Sequence, residues 1–124
     1  MELGWCDVCL RVKEVSLSRD FYLDLGFWQV EGSDEEGWAV VTNGDLRLGL
    51  FESQYMTREI SLNFRGGKVQ SICEELKAKG RELESEPKVS NRGVSASLTD
   101  PDGHMIFLDA FEGESKKVDP MRRS

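Results

Sequence analysis

The chain has 124 residues, 39% hydrophobic and 31% charged, with a net charge of −7 and a sequence pI near 4.8. That is enough chain for one real core and too little for two independent ones. Its polyanionic surface argues against nucleic-acid binding, and no apolar run approaches the roughly 20 residues of a membrane helix.

Residues 3–13 alternate, with Cys6, Val8, Leu10 and Val12 on one face and Trp5, Asp7, Cys9 and Arg11 on the other, which predicts a strand. Cys6 and Cys9 have CxxC spacing, but positions three apart on a strand point to opposite faces, so no metal grip or disulfide is expected. Ser16 or Ser18 is placed to cap a helix whose stripe is Leu17, Phe21, Tyr22 and Leu25, closed by Gly26. Strands follow over 27–31 and 38–42, separated by an acidic turn at 32–37. Asn43-Gly44-Asp45 is a hairpin turn, and 46–52 is the returning strand. The order is βαβββ.

The second half repeats it. Residues 59–65 alternate, and Val69, Ile72, Cys73 and Leu76 form a helical stripe that Gly80 closes. Residues 81–86 read as a weak edge strand before Pro87, 88–92 as a polar loop, and 93–99 as a strand. Asp100-Pro101-Asp102-Gly103 is a turn in which proline pre-sets φ, Asp102 can close the loop through its side chain, and Gly103 accepts positive φ. The last strand is 105–111. Asp7 and Ser61, Val15 and Val69, and Gly26 and Gly80 are each 54 apart, whereas Gly44 and Gly103 are 59 apart. The spacing predicts an internal duplication with about five extra residues in the second copy. The fold class is α+β: two tandem βαβββ modules, about 3–54 and 58–112, forming curved mixed sheets around a cleft in a single domain over 1–113. A polar tail, 114–124, is expected to fray.

With the duplication in view, the segment from Asp7 to Phe27 resembles the first module of the vicinal oxygen chelate superfamily, the group of glyoxalase I, the bleomycin resistance proteins and the extradiol dioxygenases. Phe21-Tyr22 followed by Leu25-Gly26-Phe27 carries the likeness, together with Leu76-Lys77-Ala78-Lys79-Gly80 and Asp100-Pro101-Asp102-Gly103. The resemblance covers roughly residues 4–112 and implies a fold that hosts lyases, isomerases, dioxygenases and plain binders. It places the metal positions of metal-dependent members at Asp7, Leu48, Ser61 and Phe107. One carboxylate, one hydroxyl and two apolar side chains do not make a divalent-metal site, so neither metal nor other cofactor is expected. His104, the sole histidine, lies beside the turn glycine and is read as structural or exposed.

If the helices cover the apolar faces, the opposite faces line the cleft. This predicts a ligand site of Asp7, Arg11, Trp38, Leu48, Glu59, Ser61, Asn63, Arg65, Phe107 and Asp109, with Cys9, Leu46, Leu50, Met105 and Phe111 beside them. Phe107 and Leu48 fit a core role as well as ligand contact. Arg11 and Arg65 fit internal pairing with Asp109, Glu59 or Asp7, or contact with an anionic substrate. Asp7 against Glu59 could raise a carboxyl pKa and make a general base.

The expected function is metal-independent binding of a small organic molecule, antibiotic-like or a cationic aromatic. The alternative is a lyase- or isomerase-type enzyme, metal-free or with atypical ligands. The family resemblance implies a homodimer. The N-terminus has neither the basic start nor the apolar run of a signal peptide, so a cytoplasmic home is expected, with neither nucleic acid nor membrane as a partner.

Overall fold

A computed structural model of the chain describes residues 1–114 and 116, so the expected tail lies outside the described residues apart from Glu114 and Lys116. The elements are β1 (Gly4–Arg11), α1 (Val15–Asp24), β2 (Trp28–Ser33), β3 (Trp38–Asn43), β4 (Leu46–Phe51), β5 (Ile60–Gly66), α2 (Val69–Ala78), β6 (Ser85–Ser90), β7 (Gly93–Thr99) and β8 (Met105–Phe111). The helices begin and end at positions 54 apart, which is the duplication read from the sequence. Contacts divide the described chain into two compact units, residues 7–60 and residues 61–116 with 1–6. Among the described residues, no helix is long and apolar enough to cross a membrane.

In residues 7–60 the strand order is β2-β3-β4-β1, with β1 parallel to β4 and the other pairs antiparallel. The core under α1 is Val15, Ala39, Val41, Leu48 and Leu50, with Val8, Leu10, Val12, Tyr22 and Phe27 packed against it. The second unit repeats the arrangement as β5-β8-β7-β6, with β5 parallel to β8. Its core is Val69, Ile72, Cys73, Ala96 and Leu108, completed by Leu3, Phe64, Leu76, Val94 and Leu98. Helix α1 carries the chain from β1 to the far-edge strand β2, and α2 carries it from β5 to the far-edge strand β6, so each helix covers one face of its own four strands.

Four local expectations are corrected. Helix α1 starts at Val15, so neither Ser16 nor Ser18 caps it. Its first N–H, on Val15, donates to Glu52 Oε2 at 2.9 Å, a carboxylate set against the positive end of the helix. The inner face of α1 is Val15, Ser18, Arg19 and Tyr22, so Leu17, Phe21 and Leu25 point to solvent. Both stripes satisfy helical spacing, and Val15 lies about 200° around the helix from Leu17. Strand β6 begins later than expected and runs through Pro87. A register shift between Ser85 and Lys88 accommodates the proline on an edge strand that needs no donor there.

The fourth correction is to the last hairpin, which is closed by Asp100 rather than Asp102. Its Oδ1 accepts from the N–H groups of Asp102 (3.0 Å) and His104 (2.9 Å). His104 Nδ1 stands 2.8 Å from Asp100 Oδ2, on an exposed ring. These contacts, the His104 N–H foremost, hold the Asp100 carboxyl below its ordinary value. Gly44 and Gly103 both take positive φ at their turns, as the hairpin chemistry requires.

Candidate functional site

Each sheet has one face under its helix and one face free of it. Register decides which side chains reach the free face, because side chains alternate along a strand. In residues 7–60, Cys9 pairs with Gly49, Gly49 with Val40, and Arg47 with Thr42, so these share the free face with Asp7, Arg11, Phe51 and Trp38. Leu48 pairs with Val8 and belongs to the helix-side core, together with Leu50. The expected placement of Leu46, Leu48 and Leu50 on the free face is therefore corrected: Leu48 and Leu50 are core residues, and Leu46 is exposed.

The reason is that the two hairpin loops differ by an odd number of residues, two in the first and five in the second. Leu46 and Met105 both resume their strands two residues past a glycine. The first hairpin closes Asn43 onto Leu46, whereas the second closes Thr99 onto Met105 across a longer loop. Leu48 opposite Val8 corresponds to Ile106 opposite Leu62, so Gly49, not Leu48, is the counterpart of Phe107.

On the free face of residues 7–60 lies a buried ionic cluster. Asp7 is 0% exposed and Arg47 is 3% exposed. Arg47 Nε donates to Asp7 Oδ1 at 2.5 Å and Nη2 to Asp7 Oδ2 at 3.4 Å, while Nη2 also reaches Glu31 Oε2 at 3.5 Å. Two carboxylates on one guanidinium satisfy the rule that buried charge is paired. Beside it, Trp38 stacks on Phe51 with centroids 6.0 Å apart and planes 5° from parallel, and Tyr55 meets Phe51 edge-on. Gly49 makes room for this shelf, since a Cβ there would come within 2.6 Å of the Phe51 ring and 3.0 Å of Cys9 Sγ. At the end of β1, Arg11 and Glu59 line one open depression of about 620 Å³ with Leu10, Val12, Lys13 and Ser53. Arg11 Nη1 donates to the Thr57 carbonyl at 2.7 Å, so it pairs with backbone rather than with Asp7. Glu59 is exposed.

The free face of residues 61–116 carries Ser61, Asn63 and Arg65 from β5 and Met105, Phe107, Asp109 and Phe111 from β8. Register sets Asn63 beside Phe107, Arg65 beside Asp109, Ser97 beside Phe107 and Ser95 beside Asp109. Ser61, Asn63 and Ser97 are buried. Asn63 Nδ2 donates to Asp109 Oδ2 at 2.8 Å. Arg65 Nη1 reaches Glu114 Oε2 at 3.3 Å and lies near enough to Asp109 to act on its charge. Burial raises the Asp109 carboxyl above its ordinary value and Glu114 adds to the rise, against the Asn63 hydrogen bond and the Arg65 charge.

Four predicted residues, Asn63, Arg65, Phe107 and Asp109, thus meet on one face, and Ser61 shares it. The sequence reading missed Arg47, Glu31, Phe51 and Glu114. Arg47 carries a signal: a lone arginine between leucines in an apolar strand needs a buried acid, and Asp7 on β1 is one.

The family model described as Glyoxalase/Bleomycin resistance protein/Dioxygenase superfamily matches residues 3–108. No curated protein matches the sequence. Among solved structures, the chain is similar to an NAD-dependent benzaldehyde dehydrogenase from Legionella pneumophila, at 23% identity and TM-score 0.74, over 86% of this chain and 99% of that one. It is also similar to a glyoxalase/bleomycin resistance protein/dioxygenase superfamily member from Vibrio splendidus 12B01, at 12% identity and TM-score 0.68, over 85% and 97%. An uncharacterized protein from Methanosarcina mazei gives 14% identity and TM-score 0.61, over 95% and 100%. At these identities the likeness is one of fold.

Proposed function

Because the chain belongs to the glyoxalase/bleomycin resistance protein/dioxygenase superfamily, we propose that it binds a small organic cation with an aromatic or apolar body, without a metal. The observation that carries this reading is Asp109. One oxygen of this half-buried carboxylate accepts from Asn63, and Phe107 and Phe111 flank it on the same strand face. An acid on an apolar floor, with serine hydroxyls on the adjoining strand, suits an ammonium or guanidinium head joined to a flat body. The local charge agrees, since Asp109 and Glu114 share one arginine. The homodimer implied by the family belongs to the same reading, and light scattering at micromolar concentration checks it.

The residues at the family's metal positions support the metal-free part. Asp7 is engaged by Arg47, Gly49 (the counterpart of Phe107) has no side chain to offer, and Ser61 and Phe107 supply at most a hydroxyl. Among the described residues, no group of three or more His, Cys, Asp or Glu side chains is placed to hold a metal ion. Elemental analysis of untagged protein tests this directly: a stoichiometric divalent metal would overturn it.

The binding reading is tested by thermal shift against a panel of cationic aromatics and their neutral and anionic isosteres. Cationic members should stabilise the protein and the isosteres should not; a panel-wide absence of shifts, or a preference for anions, would sink it. A second reading is favoured by the raised Asp109 carboxyl alone: a lyase or isomerase in which Asp109 takes a proton from a carbon acid. Turnover that is lost in Asp109→Asn while ligand affinity is kept would select it.

A further inference from the structure

Of the large hydrophobic side chains that are exposed, five fall within residues 17–28: Leu17, Phe21, Leu23, Leu25 and Trp28. Three of them form a stripe. Leu17, Phe21 and Leu25 stand at i, i+4 and i+8 along α1 and its C-cap, and are 64%, 59% and 58% exposed. Apolar side chains scattered singly need no explanation, but a row two turns long on one helix face does.

The charge around the stripe says what can cover it. Asp20 and Asp24, each one residue before a stripe member, border it along its length, and Glu14 stands at the start of the helix; all three are exposed. The helix carries a single basic side chain, Arg19, which is mostly buried and tied to Asp20 and Asp34. Residues 7–60 hold eleven carboxylates against five basic side chains, so most of the chain's net charge of −7 lies on this unit. A second copy laid on the stripe would bring one acidic border against another. An anionic membrane surface is repelled for the same electrostatic reason.

We propose that the outer face of α1 is a docking surface for an amphipathic helix of another protein, one whose apolar stripe is bordered by lysine or arginine. Leu17, Phe21 and Leu25 supply the apolar seam, with Phe21 at its centre, and Asp20 and Asp24 meet the basic border. The proposal is independent of the ligand site around Asp109.

The test uses the full chain and three labelled four-turn helical peptides that share one leucine stripe and differ in their flanks: lysine, glutamine or glutamate. Fluorescence anisotropy should show the lysine peptide binding at least about tenfold more tightly than the glutamate peptide, with the difference shrinking as salt is raised. Phe21→Ser and, separately, Leu17→Ser should each weaken the lysine peptide by about tenfold with an unchanged circular dichroism spectrum. Asp20→Asn with Asp24→Asn should flatten the salt dependence while leaving the glutamine peptide unaffected. Equal binding of all three peptides, or indifference to both serine variants, overturns the proposal. So does a wild-type dimer that Phe21→Ser dissociates, because a second copy would then be the occupant.

Discussion

Replacing Arg47 with methionine is the sharpest test of the ionic cluster on the free face of residues 7–60. Methionine keeps most of the side-chain volume, so the perturbation is to charge and hydrogen bonding rather than to packing. Wild type holds Asp7 and Arg47 at 0% and 3% exposure, joined at 2.5 and 3.4 Å, with Glu31 at 3.5 Å. Removing the guanidinium leaves the Asp7 carboxylate buried and loses its contact with Glu31. Breaking a buried pair from one side costs about 3–5 kcal/mol. For a chain of this length that is a fall in Tm of roughly 10–20 °C. Urea unfolding of Arg47→Met should show the loss at neutral pH.

The double variant Asp7→Asn/Arg47→Met removes the stranded charge and should recover more than half of the loss, giving a coupling of about 2 kcal/mol or more in the cycle. A single-variant cost below about 1 kcal/mol is incompatible with a buried ion pair holding Asp7.

Two further outcomes follow from named contacts. Glu52→Ala removes the carboxylate on the Val15 N–H and should cost about 1 kcal/mol in chemical denaturation, whereas Glu52→Gln, which keeps an acceptor, should cost less. Asp109 carries a carboxyl raised in the folded state, so it opposes stability above its folded pKa and ceases to oppose it below the unfolded one. Asp109→Asn should accordingly be more stable than wild type at neutral pH in thermal melts, with the gain fading in acid. A gain that persists unchanged in acid would contradict that assignment.

The parts of the fold legible in the sequence were those set by strong local periodicity and by repetition. Helical spacing closed by Gly26 and Gly80 marked both helices, the 54-residue offset tied them together as a repeat, and the alternation in β1, β5 and β8 put Asp7, Asn63, Arg65, Phe107 and Asp109 on the correct faces. What failed depended on information outside the local pattern. Counting from a hairpin glycine gave Leu48 the wrong face, because loop length, rather than distance from the glycine, sets the parity of the returning strand. On α1 two apolar stripes compete, and only packing against Ala39, Val41 and Leu50 selects the one with Val15 and Tyr22. Arg47 is a long-range partner, 40 residues from Asp7, and spacing alone does not announce such a pair.

If the Asp109 carboxylate receives an organic cation, affinity for that cation depends on the carboxylate's charge. Calorimetric titration of the most stabilising cationic aromatic into wild type and Asp109→Asn measures this dependence, with Phe107→Ala as the companion variant. At least about a tenfold loss of affinity is expected in each, consistent with loss of one charge-assisted contact or one aromatic wall. Undiminished affinity in Asp109→Asn, with the variant folded, would contradict it.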